Sequence, residues 1–189
     1  ATYVKSVLDN RINEISRNSW FYVKNPGVDF TRSRKISFSD TIKLLISKEK
    51  NSMQEEMLKF FNYDVETPTQ SAFIQQRDKI RPDTFEFLFH EFTSSFSYDK
   101  TLKGYRVLAV DGSSFNIPRN PDDESTYCVT DPYDKGFNQL LTNALYDIYN
   151  RVYLDVIIQP YRKMNEREAM RSMVDHYCRN NDDKAIFLV

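Results

Sequence analysis

The sequence predicts an α+β chain, with helices in its first half and a β-sheet in its second. Apolar residues recur every three or four positions through roughly the first half of the 189 residues, which is the period of amphipathic helices. Beyond residue 100 the pattern changes to short apolar runs bounded by turn residues, which is typical of strands. Only four residues are glycine and seven are proline, so no long low-complexity linker is expected.

Five helices are predicted in the first half. Val4, Leu8, Ile12 and Ile15 share one face of a helix over 3–17. Each further helix begins at a residue suited to a helix start and continues into apolar periodicity. These helices are expected from Ser39 onward, over 52–61, over 69–80 and over 82–96.

The second half is predicted to hold four strands and one helix. The strands are expected at 104–111, 140–149, 152–158 and 185–189, with a loop over 112–138 and a helix over 165–177. The first three strands would form an antiparallel meander, and a right-handed helical crossover would lead to the fourth. If the fourth strand pairs beside the first and parallel to it, its carboxyl end lies next to Asp111.

Asp111 is the main candidate for a functional carboxylate. It follows the apolar run Val107-Leu108-Ala109-Val110 and precedes Gly112, which would let the backbone turn sharply. Ligands of open α/β sheets bind at the carboxyl ends of the strands, where this acid is predicted to lie. The alternative is an aspartate that only caps a turn.

Charge divides the chain in the same way as the predicted elements. Residues 1–81 carry a net charge of +4 and residues 82–189 of −5. The expected domains are a helical region over 1–99 that faces a polyanion and a carboxylate-rich region over 100–189. No uncharged apolar run is long enough for a membrane span, and the two cysteines lack metal-type spacing. A reduced cytoplasmic setting without a membrane partner is therefore expected.

Five segments resemble the DDE-type transposases of bacterial insertion sequences, whose catalytic core is ribonuclease-H-like. The segments are DFTRSRK at 29–35, SAFIQQR at 71–77, FLFH at 87–90, VDGS at 110–113 and NALYD at 143–147. Together they span nearly the whole chain, and their order and spacing are more specific than any one of them. The resemblance implies a helical DNA-binding region followed by the first part of a ribonuclease-H-like core.

The resemblance also implies a chemistry. In this family two aspartates and a glutamate hold two Mg²⁺ or Mn²⁺ ions for DNA strand cleavage and strand transfer. The first acid corresponds to Asp111, as catalytic residue and metal ligand. The second directly follows the fourth strand and the third lies much further on, whereas this sequence ends at Val189. We therefore expect an N-terminal part of the protein, inactive alone and binding metal weakly or not at all. Asp147 and Asp155 remain open as further metal neighbours.

Basic and amide side chains in the first half are the candidates for DNA contact. Arg32, Arg34 and Lys35 lie on a connector from which they could reach phosphates, although a solvated charged loop is the alternative. The predicted helix over 69–80 could be a recognition helix, because glutamine and arginine can bond base edges. Its candidate contacts are Gln75, Gln76, Arg77 and Lys79.

The partners implied by the resemblance are double-stranded DNA of the element's terminal inverted repeats and of the target, and a second subunit in a synaptic dimer. The expected location is the bacterial cytoplasm, on the nucleoid. A non-catalytic DNA-binding module, with the sheet as scaffold or dimer surface, is the main alternative. A phosphatase of the haloacid-dehalogenase kind is disfavoured, because it needs an aspartate where this chain has Ser113.

Overall fold

The chain has an α+β fold in a computed structural model that describes residues 2–131 and 133–189. These residues form six α-helices and a mixed sheet of five strands. The chain divides into two compact units, Ala1–Ser95 and Phe96–Val189. The α+β class predicted from the sequence is therefore confirmed. None of the helices in the described ranges has the length and apolar character needed to cross a bilayer.

The first unit contains five of the six helices. They are α1 (Thr2–Arg17), α2 (Phe38–Ser47), α3 (Met53–Phe60), α4 (Gln70–Arg77) and α5 (Asp83–Thr93). Ser52 and Thr69 cap α3 and α4 as predicted, each accepting a hydrogen bond from the backbone N–H three residues on.

The start of α2 differs from the prediction, because its cap is Ser37 and not Ser39. The Ser37 hydroxyl accepts a hydrogen bond from the Asp40 N–H at 3.0 Å, and the Asp40 carboxylate accepts one from the Ser37 N–H at 3.1 Å. An acidic residue three positions after the cap makes this reciprocal arrangement possible. Ser39 has Ile42 at that position and cannot form it.

Two apolar clusters hold the helical unit together, and α2 contributes to both. One cluster joins α1, α2 and α5 through Ile12, Ile15, Val23, Phe38, Ile42, Ile80 and Leu88. The other joins α2, α3 and α4 through Leu44, Met57 and Phe73, and it includes Ile36 from the segment before α2.

The second unit is built on a five-stranded sheet and one helix. Its elements are β1 (Arg106–Ile117), β2 (Tyr127–Cys128), β3 (Phe137–Asp147), β4 (Val152–Pro160), α6 (Glu166–Asn180) and β5 (Ala185–Leu188). β3 pairs antiparallel with β1 on one side and with β4 and the short β2 on the other. β5 pairs with the free side of β1 and runs parallel to it. The predicted hairpin and the predicted parallel strand beside the first are both confirmed.

β1 is longer than predicted, and the expected loop over 112–138 is wrong at three places, the last of which is Phe137 and Asn138, the first two residues of β3. β1 continues past Asp111 to Ile117, because residues 111–117 pair with the first half of β3 from Ala144 back to Asn138. Gly112 therefore lies in extended backbone and not in a turn. The two residues of β2 interrupt the same segment further on.

One face of the sheet is covered by α6. Leu108 of β1 and Leu145 of β3 are almost fully buried against Met173 and Tyr177 of this helix. Because successive residues of a strand point to opposite faces, this packing fixes which side chains of β1 face α6.

Candidate functional sites

The basic connector over 31–35 is held at both ends by packed apolar side chains, the half-buried Phe30 and the buried Ile36. Before it, the Phe30 ring packs edge-on against Phe38, with 5.3 Å between the ring centroids. After it, Ile36 is 2% exposed among Leu44 and its neighbours in the second apolar cluster. The five residues between these anchors are all exposed. The chain therefore presents Arg32, Arg34 and Lys35 on a short segment whose ends are fixed.

A tight turn precedes the connector and adds to its rigidity. The Asp29 carboxylate is 8% exposed and accepts hydrogen bonds from the backbone N–H of Asn25 at 3.0 Å and from its side-chain amide at 3.2 Å. The next residue, Phe30, has a φ of +55°, a left-handed conformation that a bulky residue rarely adopts. Its packing against Phe38 compensates for this strain, and such strained residues cluster at functional sites.

The connector and α4 enclose two clefts, with Arg34 lining both. The first has a volume of about 510 Å³ and brings Arg32 and Arg34 together with Gln76 and Lys79. The second has a volume of about 400 Å³ and brings Arg34 and Lys35 together with Gln75 and Gln76. Among the residues that line these clefts, we call the basic and amide side chains the basic surface, which comprises Arg32, Arg34, Lys35, Gln75, Gln76 and Lys79.

The charged groups of the basic surface differ in how far they are already neutralised. Arg32 and Arg34 make no ion pair or side-chain hydrogen bond with any residue that the structure describes. Lys35 forms an ion pair with Glu66, and both side chains are exposed. The Lys79 ammonium donates a hydrogen bond to Gln76 Oε1 at 3.1 Å and lies 5.6 Å from the centroid of the Phe30 ring. The two arginines are therefore the groups best able to bind an anion.

Backbone pairing fixes Lys79 beside the connector. Its carbonyl accepts a hydrogen bond from the Lys24 N–H at 2.8 Å, and the neighbouring residues Val23 and Ile80 form an antiparallel bridge. Both Val23 and Ile80 are buried in the first apolar cluster. The segment after α1 therefore sets the position of this lysine.

The structure does not bring Arg77 into the basic surface. Its guanidinium bonds the carboxylate of the next residue, Asp78, at 2.8 Å, and it lines neither cleft. Gln76 is only 6% exposed, so its amide mainly holds the Lys79 ammonium. Gln75 is exposed. Of the amide side chains named from the sequence, Gln75 is thus the one open to a ligand.

Asp111 lies within β1, opposite Ala144 of β3 and two residues past Ala109, the last residue that pairs with β5. Leu108 and Val110 face α6, so alternation places Asp111 on the opposite face of the sheet. Its side chain is exposed, and Oδ1 accepts a hydrogen bond from the Gly112 N–H at 2.9 Å. The acid is therefore just beyond the carboxyl end of β5, open to solvent.

Gly112 lies at a close approach on the α6 face. A Cβ atom at this position would lie 3.2 Å from Asn143 Oδ1 and 3.3 Å from Glu166 Oε1. Asn143 is 1% exposed and its amide also bonds Gln159, so it has little room to move. The glycine next to Asp111 thus serves packing, whereas the sequence suggested a turn.

Neither of the other two candidate acids shares the face of Asp111. Asp147 is fully buried and accepts hydrogen bonds from Arg106 Nε at 2.8 Å and from the Asn150 backbone and side chain, each at 2.9 Å. Burial alone would raise the pKa of Asp147, but these donors outweigh it and hold the pKa below its ordinary value. The Asp155 carboxylate lies within hydrogen-bond distance of His176 Nδ1 in α6, at 3.0 Å.

The described residues do not by themselves form a metal centre. Nowhere in 2–131 or 133–189 do three or more histidine, cysteine, aspartate or glutamate side chains come together as a metal-binding group. Asp111 offers one hard oxygen donor, whereas a pair of divalent ions needs several carboxylates. The part of the chain that the structure describes therefore does not fit a two-ion site without further ligands.

Sequence reasoning missed the residues that support the basic surface, namely Asp29, Phe30 and Ile36. The signals were present, since Pro26-Gly27 marks a turn, an aspartate there can bond its own backbone, and apolar residues flank the basic run.

Comparison of the chain with protein-family models, with curated proteins and with solved structures finds no match. Function is therefore inferred from the sequence resemblance, the fold and the two candidate sites.

Proposed function

We propose that this chain is the N-terminal part of a DDE-type transposase of an insertion sequence. In this proposal the helical unit binds the ends of the element, and Asp111 is the first catalytic acid of a ribonuclease-H-like core. The observation that carries the proposal is the strand arrangement around Asp111. The basic surface of the helical unit adds further support, because it would provide a separate site for DNA.

The topology supports a ribonuclease-H-like core. β1, β3 and β4 form an antiparallel meander, α6 follows, and β5 then pairs parallel to β1 on the side away from β3. Leu188 pairs with Ala109, so the same register carried forward aligns the position after Val189 with Asp111. That position is where the resemblance expects the second acid of the whole protein.

In the whole protein, the acids together would hold Mg²⁺ or Mn²⁺, which supplies Lewis-acid assistance to phosphodiester cleavage and strand transfer. Asp111 would contribute its exposed carboxylate, held on a central strand of the sheet. Because the described residues bring no group of three acids together, we expect no cleavage by this part of the chain.

The basic surface supports binding of double-stranded DNA. Arg32 and Arg34 would bond backbone phosphates without reading sequence, and Lys35 and Lys79 would add positive charge nearby. Gln75 is placed to reach a base edge. If the four cations each contact a phosphate, log affinity falls with log salt concentration at a slope of roughly −3 to −4.

A non-catalytic DNA-binding module is the second candidate. One observation favours it, because the basic surface is complete within the helical unit while the acid site is not. In that case Asp111 would be an ordinary strand residue and the sheet would be a scaffold or a dimer surface.

One pair of measurements tests both candidates. Fluorescence anisotropy of residues 1–189 with labelled duplex DNA over a series of salt concentrations should give the slope above, and a slope near zero would exclude DNA binding by phosphate contacts. In the whole protein with Mg²⁺, Asp111→Asn should abolish strand cleavage and leave duplex affinity unchanged. Unchanged cleavage by that variant would remove Asp111 from the mechanism and favour the non-catalytic module.

A further inference from the structure

Two aromatic rings are exposed side by side at the end of α1. Trp20 and Phe21 lie in a short 3₁₀ turn over Ser19–Phe21, and their ring centroids are 3.4 Å apart in a stacked arrangement. Trp20 is 52% exposed and Phe21 is 54% exposed. Large aromatic side chains usually bury most of their surface, so a half-exposed pair suggests a ligand with a flat apolar face.

A cleft that suits a phosphate is lined by the residue that precedes this pair in the chain. Ser19, the residue before Trp20, lines a cleft of about 280 Å³ together with Arg32 and Arg34. Every polar side chain that lines this cleft is a serine, a threonine or an arginine, so it holds hydrogen-bond donors and positive charge without a carboxylate. The two guanidinium groups have no partner among the described residues.

We propose that this corner of the helical unit binds one unpaired nucleotide of DNA, with its phosphate in the cleft and its base stacked on Trp20. The inference rests on the proposed DNA-binding function and adds the kind of DNA structure that is recognised. A positively charged groove beside exposed aromatic rings is the combination by which proteins hold single-stranded nucleic acid. A free phosphate would leave the rings without a role.

The geometry favours an unpaired base over a base inside a duplex. In a continuous duplex the flat faces of each base are covered by its neighbours, whereas an unpaired base can turn a face to a protein ring. The proposed strand cleavage at an element end leaves terminal bases that can separate from their partners. The duplex itself would remain on the basic surface, to which Arg32 and Arg34 also belong.

The chain provides its own spectroscopic probe, because Trp20 is its one tryptophan. Residues 1–189 are titrated with a blunt duplex, with the same duplex carrying a short single-stranded overhang, and with inorganic phosphate. Tryptophan emission reports stacking, and the anisotropy of labelled DNA reports affinity. We expect the overhang to quench Trp20 emission and to bind roughly tenfold more tightly than the blunt duplex.

Substitutions separate stacking from charge. Trp20→Leu should remove the preference for the overhang and leave the blunt-duplex affinity unchanged, and Trp20→Phe should retain most of the preference. Tyr3→Leu is the matched control, since Tyr3 is 67% exposed in the first turn of α1, and it should leave the preference intact.

The outcomes distinguish the inference from the function on which it rests. Equal binding of both duplexes without quenching would overturn the unpaired-nucleotide site and leave the DNA-binding function standing. Equal quenching by inorganic phosphate alone would also overturn it, because no base is then present. Failure to bind any DNA would overturn both proposals.

Discussion

Arg106 binds Asp147 through two guanidinium nitrogens, which joins the first residue of β1 to the last residue of β3. Nε of the arginine lies 2.8 Å from Asp147 Oδ2, and both side chains are almost completely buried. A second carboxylate, Asp183, lies 3.4 Å from Arg106 Nη1 and accepts the Tyr177 hydroxyl hydrogen at 2.7 Å. This network ties the segment before β5 to the other two strands.

Replacement of Asp147 by asparagine should strongly destabilise the second unit. The substitution leaves the buried Arg106 charge without its main partner, and loss of one member of a buried ion pair costs about 3 to 5 kcal/mol. Amide hydrogen exchange of β1 and β3 measures the effect within this unit. Asp111→Asn is the control, because the Asp111 carboxylate is exposed. If both variants lost the same exchange protection, the buried Arg106–Asp147 pair would not be the source of the stabilisation.

Acid should weaken the same unit over a defined range of pH. The pKa of Asp147 is lower in the folded protein than its unfolded value of about 3.9, so its stabilising contribution is complete above that value. The contribution is lost as the pH falls through the folded-state pKa. Exchange protection of β3, measured from neutral to acidic pH, should fall as the pH drops below about 3.9. The fall should be smaller in Asp147→Asn, which lacks this carboxylate. An identical pH profile in both proteins would rule out this origin.

Gly112→Ala should destabilise the second unit by about 1 to 2 kcal/mol through overpacking. The new methyl group would lie within 3.3 Å of Asn143 Oδ1 and Glu166 Oε1, and Asn143 is buried. Urea unfolding followed by circular dichroism measures the change. In a protein that also carries Glu166→Ala, the Gly112→Ala substitution should lower the free energy of unfolding by less, because one of the two close contacts is gone. No loss of stability in Gly112→Ala would show that Asn143 moves freely.

Arg34→Ala should weaken duplex binding and make the salt slope shallower by about 1, as expected when one phosphate contact is lost. Arg34 lines both clefts of the basic surface and has no partner among the described residues. Arg77→Ala is the matched control, since Arg77 is already paired with Asp78 outside these clefts. An equal effect of both substitutions would argue for diffuse charge attraction without a defined surface.

Local signals in the sequence predicted the elements that depend on local chemistry. The helix over 3–17, the caps at Ser52 and Thr69, the hairpin and the last strand all follow from apolar periodicity or capping residues. The start of α2 was misplaced by two residues, because two serines compete there and only Ser37 has an acid three positions later.

Features that depend on distant partners could not be predicted from the sequence. Asp111-Gly112 has a local preference for a turn, but pairing with β3 outweighs it and extends β1. The Arg106–Asp147 pair joins residues 41 positions apart, and nothing near either residue indicates it. Within α4, periodicity did not settle that Gln76 is buried and Gln75 exposed, because that depends on how the helix packs.

The anchoring of the connector by Phe30 and Ile36 separates the stability of the helical unit from its ligand preference. Phe30 and Ile36 belong to the apolar clusters of the helical unit. The four side chains from Arg32 to Lys35 belong to neither cluster. Ligand preference can therefore diverge, by evolution or by design, through replacement of those four residues while the scaffold beneath them stays the same.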